Sequence, residues 1–441
     1  MNSLKKYIFE IQSQTFSFFY LVYRLYFFKF LIKKNKKNSF QQIIHINTFQ
    51  LGGGAAKVAN DLINDQKLKY EVKFLVDKIN VQHSNVFEIP KKIETRRVKM
   101  LKFIEEKKQW QDIFKLNTYK FLKKNSSVSN FRDIIHLHNL HGGYFSPLEL
   151  IPISRKFKTI WTLHDMHAFT GHCSHSFSCE KWLIGCGDCP DLSIYPKIKV
   201  DSSKKNFFFK KNVYKSIDTH IVVPSNWLAE KVKLSCLSHL PLDVIYNGVN
   251  IEKFKKKDKN IVRKNLGIPT EKKVVMFSAD MGLKNPFKGG EYVLKMLDQK
   301  EFEDMIFITL GGDEFIKNGN LWSYPYIKSE DELASFYNAA DVLLYPSLAD
   351  NCPLVVLEAM ACGLPIVAFN VGGIPELVLN AENGYVVSVK NFQELKSSLL
   401  DILLNEELRK EFSLACIKRV NAYFTLEIMN LKYLNLYKNV I

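Results

Sequence analysis

Short, wholly apolar runs alternate with helical patterns along this chain, and this alternation constrains its fold more than any other feature. From residue 41 onward, the apolar runs are QQIIHINTF, YEVKFLV, DIIHLHNL, KTIWTLHD, THIVVPS and LDVIYNGV. Runs that are apolar at nearly every position indicate strands of a parallel sheet that is covered by helices on both faces. The first half of the chain is therefore predicted to form a doubly wound α/β domain.

The same alternation begins again after a polar, lysine-rich segment, NGVNIEKFKKKDK, at residues 247–259. Its apolar runs are KKVVMFSAD, DMIFITLGGD, ADVLLYPS, GLPIVAFN and NGYVVSV, and helical patterns follow from about residue 391. We predict two Rossmann-like domains, at residues 41–253 and 254–420, and a C-terminal helix at 421–441 that packs back on the first domain. Ligands of such sheets bind at the carboxyl ends of the strands, so we expect the site in the cleft between the domains.

Composition and charge narrow the classes of function. The chain has 441 residues, of which 46% are hydrophobic and 24% charged, so it can bury a large core. Its net charge is +17, which favours an anionic partner, although a coding bias toward Lys, Asn, Ile and Phe is an alternative explanation. Basic and aromatic residues interleave at 1–40 and 96–124, but no nucleic-acid-reading motif accompanies them, so no nucleic-acid partner is expected.

Residues 1–40 differ from the rest of the chain. Nine aromatic residues lie in Phe16–Phe30, Arg24 and Lys29 interrupt this run, and four lysines follow at 33–37. The apolar run of about 17 residues is at the short limit for a membrane span, and its internal cations make spanning costly. The pattern predicts an amphipathic helix that lies on an anionic membrane surface. A helix packed on the protein and a spanning helix remain open alternatives.

Four of the eight cysteines lie close together, at Cys173, Cys179, Cys186 and Cys189. No small-residue cleavage site follows the first apolar run, so we expect the chain in a reducing cytoplasm, where clustered cysteines favour a metal over disulfides. The C-x2-C end has the spacing of a zinc knuckle, whereas the other gaps are looser than in common zinc ribbons. A structural zinc ion is the interpretation we adopt, with unmetallated thiols and disulfides as alternatives.

Two acidic residues stand out within the apolar stretch SLADNCPLVVLEAMACGLPIVAFNVGGIPELV at 347–378. Asp350 lies in a turn, and Glu358 lies about two turns into the helix that follows. Since apolar residues flank Glu358, its carboxylate needs hydrogen-bond donors, and the vicinal hydroxyls of a ribose would supply them. The turn and the helix N-terminus would meanwhile offer N–H groups to phosphates.

This acidic-x7-acidic pattern resembles the signature of the retaining glycosyltransferases of family 4, which have the GT-B fold. Further matching segments extend from about residue 43 to 423: INTFQLGGGAAKVA, IIHLHNLHGG, WTLHDMHAFTGHC, VPSNWL, IYNGVNIEKF, FKGGEYVL, LGGDEF and FYNAADVLLYPSLADN. The TLHDMHAFTGHC segment with its four cysteines is similar to a subgroup that acts in bacterial capsule, O-antigen or exopolysaccharide assembly.

The resemblance implies a role for individual residues. Glu358 would bind the ribose, Asp350 the donor sugar and Lys288 the diphosphate, while His164 would line the pocket of donor and acceptor. Asp350 departs from the family, which usually has Glu there, and the family's arginine near Lys288 has no clear counterpart. The implied catalytic residues are His164, Lys288 and Asp350, and the implied donor-binding residues are Gly53, Gly54, Lys284, Lys288, Asp350, Asn351, Leu354 and Glu358.

The function that the resemblance implies is hexosyl transfer from a nucleotide sugar to a growing, lipid-linked glycan in surface polysaccharide biosynthesis. Fixed positive charge can stabilise the leaving diphosphate without a divalent metal, and no D-x-D motif follows a predicted strand, so we expect metal-independent catalysis. The expected location is the inner face of the cell membrane. An inactive GT-B-like scaffold and a basic nucleic-acid-binding protein are the rival interpretations.

Other polar residues allow two interpretations each. His136, His138 and His141 follow one another near the end of a predicted strand, where they could bind a metal or line the cleft. Glu376, in GGIPELV, could cap a helix or contact a ligand.

The membrane hypothesis predicts that deletion of residues 1–38 releases the protein into the soluble fraction with its nucleotide binding intact. The physical reason is that the aromatic run and its lysines supply both apolar insertion and attraction to anionic lipid. Fractionation at moderate salt, with the full-length chain as control, measures this. A truncated chain that still sediments with membranes would locate the anchor elsewhere.

Overall fold

The computed structural model describes residues 42–90, 115–124 and 133–440. The predicted N-terminal helix at 1–40 lies outside these residues. Within them the chain forms two seven-stranded sheets, each covered by helices, as the alternation of apolar runs predicts.

The first sheet is entirely parallel and has the strand order β3-β2-β1-β4-β5-β6-β7. Its strands are β1 Gln42–Phe49, β2 Glu71–Lys78, β3 Val86–Glu88, β4 Ile134–Leu137, β5 Lys158–Thr162, β6 His220–Val223 and β7 Leu242–Val244. The helices around it are α1 Gly54–Gln66, α2 Thr118–Lys124, α3 Leu150–Lys156, α4 Ser203–Tyr214 and α5 Asn226–Lys233.

The second sheet has the related order β10-β11-β9-β8-β12-β13-β14, which differs from the first by the hairpin β10–β11 at its edge, and only this pair is antiparallel. Its strands are β8 Val274–Ser278, β9 Ile306–Gly312, β10 Ile316–Asn318, β11 Leu321–Pro325, β12 Val342–Tyr345, β13 Ile366–Phe369 and β14 Gly384–Val387. Its helices are α6 Lys259–Leu266, α7 Gly290–Leu297, α8 Glu330–Ala339, α9 Leu354–Ala361, α10 Ile374–Leu377, α11 Phe392–Leu404 and α12 Glu406–Tyr423, and α13 Leu426–Val440 ends the described chain.

Each of the eleven predicted apolar runs contains a strand, which confirms the doubly wound class. Neighbouring residues of a strand pack on opposite faces of the sheet: Ile44 and Ile46 belong to the core on one face of the first sheet, and Ile43 belongs to the core on the other face. The short strands β3, β10 and β11 were not predicted, because three to five half-exposed residues give no apolar run. The polar segment at 247–259 is not a plain linker, since Phe254 is buried in the second core.

Helix α13 returns to the first domain. Tyr433 and Tyr437 are fully buried in the core cluster that also holds Ile43 and Val58. Just before this helix, the chain pairs with the segment that joins the two domains: Val249 N donates to Phe424 O at 2.8 Å, and Leu426 N donates to Val249 O at 3.1 Å. Both connections between the domains therefore run side by side.

In each sheet the strand order reverses at one point, between β1 and β4 in the first and between β8 and β12 in the second. Loops that leave these strands at their carboxyl ends border a crevice, the usual place for a ligand in such sheets. At the second crevice Gly289 has φ +73°, and a Cβ there would lie 2.0 Å from Pro346 O. Only glycine lets the loop that carries Lys288 approach the end of β12 this closely.

Among the described helices, none combines the length and the apolar character that crossing a bilayer requires.

We expect Gly289→Ala to destabilise the protein by more than its backbone angle alone explains. Gly267 is the matched control, because it also has positive φ, at +66°, but a Cβ there meets no atom within 4 Å. An Ala at Gly267 should cost about 1 kcal/mol for the left-handed backbone, and an Ala at Gly289 about 1–3 kcal/mol more for the clash. Urea unfolding of the two variants measures the difference, and equal losses would contradict this close approach.

Candidate active site

Asp350 lies in the turn between β12 and α9 and is held by three donors. Its Oδ2 accepts from Lys288 Nζ at 2.5 Å, from Tyr345 Oη at 2.6 Å and from Ser347 Oγ at 2.8 Å. Burial alone would raise the pKa of this carboxyl, but Lys288 and these hydrogen bonds hold the pKa below its usual value. Asp350 is therefore a carboxylate at neutral pH.

Glu358 is in the opposite electrostatic situation, although it lies only two helical turns away. The side chain is 4% exposed and accepts a hydrogen bond from Tyr337 Oη at 3.0 Å. Burial raises the pKa of Glu358 to about 7, against the opposing effect of the Lys57 ammonium and the Tyr337 hydroxyl. The carboxyl is thus under-supplied with donors, as a site for a pair of ligand hydroxyls would be.

Lys57 brings charge from the first domain to this carboxyl. It lies on α1, pairs with Asp61 at 3.3 Å and also hydrogen-bonds Glu330 of the second domain. Although burial opposes its charge, these carboxylates and Glu358 raise the pKa of Lys57. Its ammonium is therefore an interdomain cation at neutral pH.

The glycine loop before α1 faces open space. Gly52 and Gly53 have φ +92° and +76°, and a Cβ at either of them or at Gly54 would meet no atom within 4 Å. Glycine is thus needed here for the backbone angle and not because a protein atom is close. The loop leaves its N–H groups and the start of α1 accessible, as an anion-binding loop requires.

His164 follows β5 and touches the second domain. Its carbonyl oxygen accepts from Asn351 Nδ2 at 3.1 Å, and Asn351 Oδ1 in turn accepts from Ser225 Oγ. Leu354 packs against the core clusters of both domains. Asn351 and Leu354 thus lie where the domains meet, next to Asp350.

Lys284 is the one predicted donor-binding cation that the structure directs elsewhere. Its Nζ pairs with Asp313 at 2.6 Å, and both side chains are more than 70% exposed. The pair lies on the surface, so Lys288 is the lysine that reaches Asp350.

Glu376 caps a helix of the other domain. Its carboxylate accepts from the N–H groups of Asn226 and Trp227, at 2.8 and 2.7 Å, which begin α5, and from Tyr246 Oη at 2.8 Å. Of the two interpretations of Glu376, the structure supports capping, and it makes that cap an interdomain contact.

His136 and His138 form a compact group with His45 at the end of the first sheet. One potential ligand atom from each of these three rings lies within 4.8 Å of the other two, and in the described part of the chain no other group of His, Cys or carboxylate side chains is close enough to hold a metal ion. The nitrogens of these rings hydrogen-bond one another or a neighbouring Gln, Thr, Tyr or His side chain. These partners satisfy the ring nitrogens, and because His136 is fully buried and His138 nearly so, the two rings lie behind the cleft instead of lining it. His141 lies apart from this group and pairs with Asp165 at 3.0 Å.

The four clustered cysteines carry free thiols in one loop of the first domain, without a disulfide. Burial raises the pKa of Cys173 to about 12 and that of Cys186 to about 11, and each of these thiols interacts with the others electrostatically. Cys189 Sγ also lies 3.1 Å from His172 Nε2. These soft donors fit zinc chemically, but in the described chain the four thiols are not among the groups of side chains close enough to hold a metal ion. Structural zinc stays a prediction.

Sequence reasoning missed several residues of this cleft. His175, in the cysteine loop, interacts electrostatically with Asp350 and Lys288, and burial lowers its pKa. The neighbouring Phe177 ring lies 5.4 Å from that of Phe287, so this loop reaches across to the second domain. The segment TLHDMHAFTGHCSHSF ends with these residues, but only the folded loop shows which of them cross the cleft.

Comparison with known proteins agrees with this geometry. Residues 258–419, which make up most of the second domain, match the family model described as Glycosyl transferases group 1. The chain is 26% identical over 323 residues to WcaC of Escherichia coli (strain K12), named provisionally as a colanic acid biosynthesis glycosyl transferase. That alignment covers 70% of this chain and 76% of WcaC.

Solved structures share the whole fold at low identity. Sucrose-phosphate synthase from Thermosynechococcus elongatus superposes with a TM-score of 0.66 at 17% identity and covers 91% of this chain and 99% of its own. Anabaena Alr3699/HepE, in complex with UDP-glucose, has a TM-score of 0.62 at 15% identity, and the match covers 90% of this chain and 99% of the Alr3699/HepE chain. The fold of this chain is therefore GT-B.

The raised pKa of Glu358 predicts a pH-dependent cost to stability. The carboxyl titrates near 4.5 when unfolded and near 7 when folded, so the wild-type protein loses stability as pH rises through this window. Glu358→Gln keeps the shape of the side chain but cannot ionise, so the Tm of the variant relative to wild type should rise between pH 5 and 7. The corresponding gain in relative free energy of unfolding is on the order of 2–3 kcal/mol.

Asp350→Asn is the matched control for this measurement. Because the folded pKa of Asp350 lies below its unfolded value of 3.8, both states are ionised above pH 5. Its Tm difference from wild type should stay constant from pH 5 to 8. Parallel curves for the two variants would show that Glu358 is not the buried titrating group.

Proposed function

We propose that this protein is a retaining glycosyltransferase that moves a hexosyl group from a nucleotide sugar to a growing, lipid-linked glycan. One observation carries the proposal. Asp350, held by Lys288, and the donor-poor Glu358 lie on one turn and helix at the crevice of the second sheet, and Lys57, from the helix that follows the open glycine loop of the first domain, acts electrostatically on Glu358. Relatives of the fold support the donor class, since Alr3699/HepE is in complex with UDP-glucose.

Each charged group has a distinct task in this proposal. Glu358 accepts hydrogen bonds from the two ribose hydroxyls, which stabilise its ionised form. Lys288 and the N–H groups of the glycine loop neutralise the diphosphate, whose charge grows as the glycosidic bond breaks. Asp350 accepts from hydroxyls of the donor sugar and orients its anomeric carbon toward the cleft.

The sugar is transferred with retention of configuration. The bond between the anomeric carbon and the diphosphate oxygen breaks, and its electron pair stays on the diphosphate. The acceptor hydroxyl oxygen forms its bond to the same face of that carbon, and its proton goes to the departing phosphate oxygen. No protein side chain acts as a nucleophile in this scheme, because the acceptor attacks the same face that the leaving group departs from.

The acceptor class follows from two observations of different kinds. The similarity to WcaC supports a role in surface polysaccharide assembly. The aromatic and basic segment at 1–40 suits an enzyme bound to the inner, anionic face of the cell membrane, where lipid-linked glycans are extended. No metal ion takes part in the proposed chemistry.

Calorimetric binding of nucleoside diphosphates to three variants tests the proposal. Glu358→Gln should weaken binding by roughly ten- to hundredfold, since a hydrogen bond to a charged group contributes about 1.5–3 kcal/mol. Asp350→Asn should leave that affinity nearly unchanged, because the ligand has no sugar, and should lower turnover of the nucleotide sugar instead. Lys288→Ala should damage both.

Asp313→Asn is the control, because it removes an exposed carboxylate from the same domain. It should change neither binding nor turnover. Equal losses of affinity in Asp350→Asn and Glu358→Gln would refute the division of tasks. Unchanged affinity in all variants would place the nucleotide elsewhere and overturn the proposed function.

A further inference from the structure

A continuous series of hydrogen bonds joins the interior of the first domain to the cleft. Gln66 Oε1 lies 2.9 Å from His45 Nε2, and His45 Nδ1 lies 3.0 Å from His138 Nε2. His138 Nδ1 lies 3.1 Å from His164 Nε2. Gln66 and His45 are fully buried and His138 nearly so, whereas His164 is only partly buried at the cleft. The series therefore ends at the residue that the family resemblance assigns to the sugar pocket.

The three imidazoles are neutral at physiological pH. Burial lowers the pKa of His45 and of His164 to about 4, and burial lowers that of His138 well below its usual value. A neutral imidazole carries one N–H and one bare nitrogen, so each ring donates at one nitrogen and accepts at the other.

Gln66 determines which nitrogen is which. An amide oxygen can only accept, so His45 carries its hydrogen on Nε2 and is bare at Nδ1. His138 must then donate from Nε2 to this bare nitrogen, which leaves its own Nδ1 bare. His164 donates in turn from Nε2, so its Nδ1 is the bare nitrogen. This Nδ1 has no hydrogen-bond partner in the part of the chain that the structure describes.

The C-terminal helix connects the amide to a second series of hydrogen bonds. Gln66 Nε2 donates to Tyr437 Oη at 3.3 Å, and the Tyr437 hydroxyl lies 2.7 Å from His136 Nδ1. His136 Nε2 lies 2.8 Å from Thr162 Oγ1, which lies 2.9 Å from Tyr433 Oη. Reversal of the amide would require every proton along both series to change its position, so the tautomers are coupled to one another.

We propose that Gln66 sets the tautomer of His164 through His45 and His138, so that His164 Nδ1 accepts a hydrogen bond from a hydroxyl of the bound sugar. The identity of the ligand rests on the proposed glycosyl transfer, whereas the tautomer does not. Gln66, His45 and His138 are positioning residues, because none of them touches the sugar.

The consequence is a rule of specificity. A bare Nδ1 accepts from O–H and N–H groups and repels groups that can only accept. Nucleotide sugars in which fluorine replaces one sugar hydroxyl at a time test this rule. The analogue that lacks the hydroxyl bound by His164 Nδ1 should bind more weakly than the parent nucleotide sugar, although fluorine and hydroxyl are similar in size. The free nucleoside diphosphate should not distinguish the two states of His164.

Nitrogen NMR of the full chain, labelled with ¹⁵N-histidine, reads the tautomer directly. The signals of His164 are assigned by their loss in His164→Gln. In the wild-type protein we expect His164 to be protonated at Nε2 and bare at Nδ1 at pH 7. Gln66→Met removes the terminal acceptor three hydrogen bonds away, and His138→Phe interrupts the series in the middle. Both should shift His164 toward the tautomer that is protonated at Nδ1.

Tyr214→Phe is the control, since it removes a buried hydroxyl of the first domain that donates to Ala168 O and belongs to neither series. It should leave the His164 signals unchanged. A wild-type His164 protonated at Nδ1, or a tautomer that neither Gln66→Met nor His138→Phe alters, would overturn the proposal. Gln66→Met and His138→Phe change the core at different places, so the test can be made with either variant alone if the other does not fold.

Kinetics separate this proposal from the function on which it draws. For Gln66→Met we expect kcat/KM for the nucleotide sugar to fall by roughly tenfold, the effect of one lost hydrogen bond, with the affinity for nucleoside diphosphate unchanged. If the wild-type chain transfers sugar but Gln66→Met has an unchanged kcat/KM, the positioning role is wrong and the glycosyltransferase assignment stands. If no nucleotide sugar binds at all, the assignment fails, while the NMR result still decides the tautomer.

Discussion

The packing of the C-terminal helix against the first domain is the constraint on which the rest of the structure depends. Tyr433 and Tyr437 are buried in the first core, and the chain enters this helix beside the segment that joins the domains. A Cβ at Gly248 would lie 2.6 Å from Thr425 O, so the two crossings are in close contact. Two adjacent crossings restrict how the domains can move relative to each other. The crevices of both sheets consequently face one cleft, and the same helix hydrogen-bonds the Gln66 amide.

Polar contacts between the domains then complete the cleft. Lys57 reaches Glu330, Asn351 reaches the backbone of His164, and Glu376 caps the helix that begins at Asn226. Such contacts stabilise a closed arrangement less than an apolar interface would, because water competes for each of these groups. They suit two domains that must separate to admit and release ligands. The electrostatic field at Glu358 belongs to both domains, since Lys57, the cation that lowers its pKa, comes from the first.

The two carboxylates on one turn and helix have opposite pKa shifts for a physical reason. Asp350 lies where three donors converge, and one of these is a lysine. Glu358 lies deeper and receives one hydroxyl, so burial dominates and its pKa rises to about 7. A carboxyl that titrates near neutrality binds hydroxyl groups with release of a proton. Nucleotide binding in the proposed reaction should therefore strengthen as pH rises from 6 to 8.

The sequence by itself determined the two doubly wound domains, because strands buried on both faces leave apolar runs that are readable one by one. It also indicated Asp350 and Glu358, since a charged residue inside an apolar stretch requires an explanation, whereas Lys288 was indicated only by the family resemblance. It could not assign Lys284 to the surface, because an ion pair with Asp313 depends on two loops that meet only in the fold. Nor could it show what Lys57, His175 and Gln66 contact, because these residues lie in ordinary helix and loop contexts, far in sequence from their partners. Only the tertiary structure, through the carboxyl ends of two parallel sheets, brings Lys57 to Glu358 and His175 to Asp350, and places Gln66 beside the histidines that lead to His164.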